Sequence, residues 1–263
     1  MEHELFAVPK DAMKRYSRVF ALIIIAFSSA AVAQIAPGQR DQRAVDVLKA
    51  MDAQLEAMQS FVVETESYRD AVYDGATIIS NPSRSTVTVE RGASLHALTN
   101  DGESIKEIYF HDGGLTVFDE QNNFYAKAEV PKVLKDGLLF ALDNLDIETP
   151  LIDLLVVDSL NSFASDIDAV VYLTNKAPIR GVDCHHILIS GPQVELQLFI
   201  QEGDQPLPRR SVMTFKAALG TPRQEVIMDW RELEEINPSV FEFKPPSGAR
   251  EIEFATAAQI DGE

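Results

Sequence analysis

The spacing of apolar residues changes along the chain, and each spacing predicts a different kind of element. From Asp41 onward, apolar residues recur every three or four positions, which predicts an amphipathic helix. The members of this stripe are Ala44, Val45, Leu48, Met51, Leu55 and Met58. Farther along, the period becomes two. That period is typical of antiparallel strands that bury one face and leave the other wetter.

The alternation with period two is clearest in the second half of the chain. The alternating apolar positions are Val194, Leu196, Leu198 and Ile200, and then Val226, Met228 and Trp230. Turn residues separate the predicted strands at Asp112-Gly113, at Asn122-Asn123 and at Gly203-Asp204. In the first half, strands are predicted over Ile105–His111, Leu115–Asp119 and Phe124–Glu129.

Two helical segments interrupt the strands. Pro131 introduces a predicted helix over Lys132–Asn144. Its apolar side is formed by Val133, Leu134, Leu138 and Leu142. Thr149 is predicted to cap a second helix, with Pro150 at its first position and a buried apolar body over Leu151–Val157. This order of elements predicts an α+β fold in which a large antiparallel sheet carries its helices on one face, as one domain from residue 41 to 263.

The N-terminus has the three-part pattern of a secretory signal peptide. A basic region extends from Lys10 to Arg18, an apolar run covers Val19–Phe27, and Ala31-Val32-Ala33 forms a cleavage site. The apolar run is far shorter than the ~20 residues that span a bilayer. We therefore predict a signal peptide over residues 1–33, a linker over 34–40 and a mature periplasmic protein without a transmembrane span.

Charge and cysteine content exclude several classes of function. The formal net charge is −18 at pH 7, with 41 acidic and 23 basic residues. Such a chain lacks the basic footprint that nucleic-acid binding requires, so no nucleic-acid partner is predicted. One cysteine excludes an intramolecular disulfide framework and a cysteine-rich zinc site. No cofactor is predicted.

The segment Cys184-His185-His186 is the most suggestive cluster of metal-ligating residues. On a strand, adjacent side chains point to opposite faces, so the two histidines cannot easily share one ion. We predict no metal site here and a buried, unreactive thiol. No nucleophile elbow, paired-histidine zinc motif or phosphate loop occurs. Acidic pairs such as Glu234-Glu235 are interpreted as solvated charge, and the protein is predicted not to be an enzyme.

The apolar strand faces leave two interpretations open. They form a closed core beneath the helices, or they line a dry cavity on the concave side of a curved sheet. The cavity candidates are Val194, Leu196, Leu198, Val226, Met228, Trp230, Leu138 and Leu142. The first interpretation predicts a non-catalytic envelope structural or interaction protein, and the second predicts a binder of an apolar ligand.

Several motifs resemble those of known exported proteins. The C-terminal run Val240–Ala249, with its F-x-F-x-P-P-x-G pattern, resembles the ending of the LolA-type periplasmic lipoprotein carriers. The run Gly181–Leu188 is similar to a G-x-x-C-H-H-L segment in a family of predicted exported proteins of unknown function that share the carrier-like fold. Further matches lie at Tyr109–Phe118, Asn123–Ala126, Leu196–Arg210 and Asp229-Trp230.

The resemblance implies a large curved antiparallel sheet, an unclosed barrel, whose concave face is covered by helices. In the carriers, the cavity between sheet and helical lid accepts acyl chains, so the implied partner is a hydrophobic small molecule, an acyl chain or a lipoprotein, and the implied second partner class is an envelope protein. A carrier arginine that helps to hold the lid shut matches Arg91, and Gly92 stands where the carriers have proline. Arg91 is thus the candidate lid latch.

Overall fold

The computed structural model describes residues 38–156, 167–173 and 178–254. The predicted signal peptide and the first linker residues lie outside this part of the chain. The helices are α1 (Gln42–Ala57), α2 (Leu134–Leu145) and α3 (Ile152–Val156). The strands are β1 (Ser60–Tyr73), β2 (Thr77–Glu90), β3 (Ser94–Asn100), β4 (Ile105–His111), β5 (Gly114–Asp119), β6 (Phe124–Glu129), β7 (Ala169–Leu173), β8 (Cys184–Ser190), β9 (Val194–Gln201), β10 (Pro208–Phe215), β11 (Arg223–Glu232) and β12 (Arg250–Ile252).

All of these strands belong to one sheet of 12 strands in the order β12-β6-β5-β4-β3-β2-β1-β11-β10-β9-β8-β7. Every pair is antiparallel except β12 with β6, which is parallel. The terminal strands β12 and β7 stand at opposite ends of this order, so the sheet is not closed into a barrel. The prediction of an α+β fold with a large, unclosed, mostly antiparallel sheet is confirmed.

One face of the sheet, here called the inner face, carries the main core. The register places Val63 of β1 opposite Val87 of β2 and Trp230 of β11. These side chains pack in the same apolar cluster as Leu48 of α1 and Leu138 of α2. Alternation along each strand then assigns every second residue to the helix-covered side. The phase predicted for Val226, Met228 and Trp230 is confirmed, since all three face this cluster.

Helix α1 crosses the inner face from one end of the sheet toward its middle. Asp41 caps the helix through its carboxylate and also donates its backbone N–H to Val170 of the edge strand β7 at 2.9 Å. At the other end, Arg91, which follows β2, donates to the Leu55 carbonyl oxygen. Sixteen residues at ~1.5 Å each give a helix about 24 Å long. The helix therefore ties together strands that are six positions apart in the sheet.

The helical insertion departs from the sequence prediction at both of its helices. α2 begins at Leu134 rather than Lys132, and Val133 is its exposed N-cap residue instead of a member of the buried side. Leu151 has φ +61°, a left-handed conformation that is incompatible with a right-handed helix running on from Pro150. α3 therefore starts at Ile152, and the predicted Thr149 cap with Pro150 at the first helical position is wrong. Val157, the predicted end, lies outside the described residues.

The described part of the predicted linker pairs with the edge of the sheet. Arg40 forms a parallel β-bridge with Val170 and donates to the Ile167 carbonyl oxygen at 2.7 Å. The sequence predicted a short Pro/Gly linker over residues 34–40 and did not reveal its backbone partners. The backbone groups of the edge strand β7 provide such partners, because an edge strand has one unpaired side.

The C-terminal segment lies on the outer face of the sheet, opposite the helices. After a short 3₁₀ helix at Pro238–Phe241, the Phe243 ring packs against Tyr109, Phe118 and Tyr125 with centroid distances of 5.0–5.4 Å. The chain then adds β12 alongside β6. The F-x-F motif therefore anchors the last strand to the sheet through aromatic contacts.

Candidate functional site

The predicted cavity residues divide into three groups by their packing. The fully packed group consists of Leu138, Leu196, Leu198 and Met228, which are all at most 8% exposed. Val226 and Trp230 are partly buried and pack against the same cluster. Val194 and Leu142 are half-buried. Six of the eight predicted residues therefore belong to the main core or pack against it, and Val194 and Leu142 do not.

Trp230 is fixed on the inner face by one hydrogen bond and one ring contact. Its indole N–H donates to the Pro208 carbonyl oxygen at 2.6 Å. The ring lies 5.6 Å from that of Phe61, and Phe61 also lies under the guanidinium of Arg91. As the only tryptophan in the chain, Trp230 is a natural reporter for the middle of the inner face.

A cavity of about 470 Å³ opens where α2 meets the sheet end formed by β6 and β12. We call it the edge opening; it is lined by Lys127, Ala128, Leu145, Glu251, Ile252, Glu253 and Phe254. Ala128, Leu145 and Phe254 also pack against the main core, so the apolar lining is continuous with the core. Its volume is within the usual range of ligand sites, ~300–1,000 Å³. The sequence did not reveal this site, because its residues come from three distant segments.

Helix α2 can approach the sheet closely because residue 137 is a glycine. A Cβ atom on Gly137 would lie 2.3 Å from a ring carbon of Phe110 and 2.7 Å from the Pro131 carbonyl oxygen. Only glycine allows the helix backbone to approach the ring this closely. The helix ends at Asp146, whose left-handed φ of +55° turns the chain. The close approach places Leu145 beside the edge opening.

The connection from α2 to α3 is tied to the sheet by an exposed ion pair. Arg69 of β1 donates to the Glu148 carboxylate at 3.1 Å, and both side chains are more than half exposed. Exposed pairs of this kind contribute only ~0–1 kcal/mol. The helical insertion is therefore fastened more weakly at this end than at Gly137.

Arg91 binds the C-terminal end of α1. Its Nε atom donates to the Met58 carbonyl oxygen at 2.8 Å, and its terminal nitrogen donates to the Leu55 carbonyl oxygen at 2.6 Å. Burial lowers the pKa of Arg91, although the group stays charged. The last turn of α1 has no basic residue of its own, so Arg91 supplies the cation that favours a helix C-terminus. Gly92 has φ +81°, which proline cannot adopt.

The cysteine and its neighbouring histidines divide between the two faces of β8. Cys184 is fully buried with Phe199 and Val212 on the outer face, and burial raises its thiol pKa. His186 stacks on Phe199 on the same face at 4.1 Å. His185 instead lies near the Tyr172 hydroxyl at 2.9 Å. The predicted alternation is confirmed, and the described residues contain no group of three or more potential metal ligands.

A second pocket lies on the outer face beneath the C-terminal segment. Its volume is about 350 Å³, and its lining residues include Tyr109, Thr116, Lys127 and Phe243. At its side, Glu107 accepts hydrogen bonds from Tyr109 at 2.6 Å and pairs with His96 at 2.8 Å. These hydrogen bonds lower the pKa of Glu107. The period-two alternation predicted a wetter face on these strands. It did not predict that Glu107, His96 and Tyr109 would meet there.

Within the described ranges, none of the helices has the length and hydrophobicity needed to cross a membrane. A family model matches residues 44–255 and is described as "Predicted periplasmic protein (DUF2092)". This match confirms the resemblance to a family of predicted exported proteins. A search of curated proteins found no match to the sequence.

Several solved structures are similar to this one over most of their length. LprF from Mycobacterium bovis has 10% sequence identity, covers 81% of this chain and 100% of its own, and gives a TM-score of 0.45. A LolA superfamily protein from Nitrosomonas europaea has 14% identity, coverage of 76% and 97%, and a TM-score of 0.36. The lipoprotein LppX from Mycobacterium tuberculosis has 12% identity, coverage of 75% and 98%, and a TM-score of 0.36.

Proposed function

The chain belongs to the DUF2092 family of predicted periplasmic proteins, and we propose that it binds or carries an apolar ligand, such as an acyl chain, a lipid or the lipid part of a lipoprotein. The observation that carries this proposal is the edge opening, whose apolar lining residues Ala128, Leu145 and Phe254 also pack against the core. Its other lining residues are Ile252 and the charged Lys127, Glu251 and Glu253. Removing roughly 400 Å² of apolar ligand surface from water contributes about 10 kcal/mol. The cost of association reduces that gain, and micromolar affinity, about −8 kcal/mol, is its upper range.

A bound chain extends from the edge opening onto the inner face, and the helical insertion moves to admit it. Leu138 is fully buried, so the chain displaces α2 side chains from the sheet. The weak Arg69–Glu148 pair is the contact that opens first. α1 stays in place because Arg91 and Asp41 hold both of its ends. In this proposal Arg91 latches α1 as the fixed part of the lid, while α2 and α3 are its moving part.

The binding test uses the protein recovered from the periplasm and two probes, dodecanoate and a lysophospholipid, below their micelle concentrations. We expect the thermal midpoint to rise and the Trp230 emission to shift as the chain reaches the middle of the inner face. Leu145→Glu should weaken binding at least tenfold, because it places a carboxylate in the apolar lining. Val133→Glu is the control at the opposite, N-terminal end of α2, where the Val133 side chain faces solvent and is 55% exposed.

A second candidate function is a non-catalytic envelope interaction protein with a closed core. The observation that favours it is the complete burial of Leu138 and Met228 between sheet and helices. The same titration separates the two. Absence of any thermal or fluorescence response below the micelle concentrations contradicts the carrier proposal and supports the closed core.

Export through a cleaved signal peptide is part of the proposal. The order of basic, apolar and small residues over positions 10–33 supports cleavage before Gln34. N-terminal sequencing of the periplasmic protein should begin at Gln34. Recovery of the uncleaved N-terminus in a membrane pellet would contradict it.

A further inference from the structure

The inner face changes from apolar to hydroxyl-bearing along β1, β2 and β3. The register aligns Val63, Val87 and Ala97 across the three strands. Two positions farther along β1, the aligned residues are Thr65, Ser85 and Thr99, followed by the pair Ser67 and Ser83. These five residues are here called the hydroxyl row. Serine and threonine are mostly exposed in proteins, yet Thr65 and Ser85 of this row are each only 6% exposed.

The hydroxyl row has hydrogen-bonding capacity to spare. Ser85 and Thr99 share one hydrogen bond at 2.9 Å, and Ser67 and Ser83 share another at 2.7 Å. Each hydroxyl can donate one hydrogen bond and accept two. The single bond within each pair therefore leaves one O–H donor and several acceptor positions unused by that bond. Thr65 and Ser85 are each only 6% exposed, so bulk water does not satisfy them freely.

Thr149, in the connection between α2 and α3, carries another buried hydroxyl group. It is 3% exposed, and its hydroxyl oxygen has no hydrogen-bond partner among the described residues. It directly follows Glu148, whose carboxylate binds Arg69. Arg69 lies on the same face of β1 as Thr65 and Ser67, because it is four and two residues away from them. Arg69 thus links the two features: it lies on the same strand face as the hydroxyl row and binds the residue before Thr149. A buried hydroxyl without a partner costs about 1–3 kcal/mol.

The cations beside the hydroxyl row have acidic neighbours of this chain. Arg69 binds Glu148, and Lys106, which is aligned with Thr99, is also aligned with Asp119 of β5. A charged ligand group entering here would disturb this arrangement of charges. An uncharged group with several oxygen atoms satisfies the hydroxyls without doing so.

We propose that the hydroxyl row and Thr149 form a subsite for the uncharged, oxygen-rich head of an acylated ligand, such as a glycerol ester. This rests on the proposed binding of an apolar chain and specifies its head group. The row on β2 and the edge opening at β6 are four strands apart in the sheet. The acyl chain of such a ligand would extend from the row over the apolar part of the inner face toward the edge opening.

The test compares three probes with the same twelve-carbon chain: monododecanoylglycerol, dodecanoate and dodecyltrimethylammonium, each below its micelle concentration. The net charge of −18 alone favours the cationic probe. We expect the glycerol ester to bind at least tenfold more tightly than either charged probe. The test variant is Thr149→Val, and Thr149→Ser is the conservative rescue.

Thr149→Val should weaken binding of the glycerol ester at least fivefold and leave the charged probes unchanged. In the ligand-free protein it should raise the thermal midpoint, because it removes an unsatisfied buried hydroxyl. Ser85→Ala tests the sheet side of the subsite and should show the same selective loss. Thr88→Val is the matched control, a buried threonine that alternates to the opposite face of β2, and it should not change the order of the probes.

The outcomes separate this inference from the proposed function. If all three probes bind and Thr149→Val weakens them equally or not at all, the hydroxyl row is no head-group subsite, and apolar binding stands. If the charged probes bind the wild type as tightly as the ester, the inference is equally overturned. If no probe binds, both proposals are overturned.

Discussion

The guanidinium of Arg91 donates a hydrogen bond to the carbonyl oxygen of Leu55 at 2.6 Å, which joins the turn after β2 to the last turn of α1. A second bond from the same side chain reaches the Met58 carbonyl oxygen. The two carbonyl groups belong to the unsatisfied end of the helix, so the half-buried Arg91 cation satisfies both. The resemblance pointed to the residue, and the structure shows which helix it holds.

Replacing Arg91 with leucine should lower the free energy of unfolding by about 2–3 kcal/mol, because two helix-end carbonyl groups lose a charged donor. The domain should still fold, and amide exchange should accelerate chiefly near residues 55–58. Denaturant titration and hydrogen exchange measure the two effects. Arg84→Leu is the control, since the Arg84 side chain is 80% exposed and should change stability by less than about 0.5 kcal/mol. Equal effects of both substitutions would contradict the assigned role.

Gly137→Ala should destabilise the protein by about 1–3 kcal/mol, because its Cβ atom meets the Phe110 ring at 2.3 Å. Phe110→Leu in the same chain should relieve part of that cost. A double-mutant cycle measures the coupling, which we expect to favour the pair by at least ~0.5 kcal/mol relative to the sum of the single changes. Strict additivity would show that the contact does not set the position of α2.

Cys184 should not react with a thiol reagent at pH 8 in the native protein. The thiolate is the reactive form, and burial both blocks access and raises the thiol pKa. One equivalent should react after denaturation, since the chain has a single cysteine. Cys184→Ser should leave metal content and ligand binding unchanged. Stoichiometric zinc in the wild type that disappears in this variant would overturn the prediction.

Glu107 should stabilise the fold above about pH 4.5 and lose this effect in acid. Its hydrogen bonds to His96 and Tyr109 lower the folded-state pKa below the ordinary 4.5. A lowered folded pKa contributes stability that is complete above the unfolded pKa and disappears as the pH falls through the folded value. Glu107→Gln should therefore destabilise the protein at pH 7 and have progressively less effect below pH 4.5. Glu129→Gln, at an exposed position on β6, should show no such trend.

The elements that local pattern controls were predictable from the sequence. The two-residue alternation around Met228 identified both the strand and its buried face, and Asp112 with Gly113 identified a hairpin turn. The N-terminal stripe gave α1 because its apolar spacing follows 3.6 residues per turn.

The features that depend on distant segments were not predictable. The edge opening is lined by Leu145, Ala128 and Phe254, which are far apart in sequence. The local spacing of apolar residues cannot predict that they lie together. The start of α3 was misjudged because Leu151 adopts φ +61°, which a leucine adopts only where tertiary contacts impose it. The hydroxyl row appears only once the register places Ser85 opposite both Thr65 and Thr99.

The order of strands also determines when the sheet can be completed. β1 pairs with β11 in the sheet, although most of the chain separates them in sequence. Phe61, for example, is the register partner of Glu232. Contacts between such distant residues require closure of a very long loop and are associated with slow folding. A chain that emerges N-terminus first can form the β1–β2 hairpin early, but its central strand keeps one open side until the last quarter has arrived. The protein therefore stays incompletely folded throughout its synthesis, the state in which a polypeptide can still be threaded through a narrow pore.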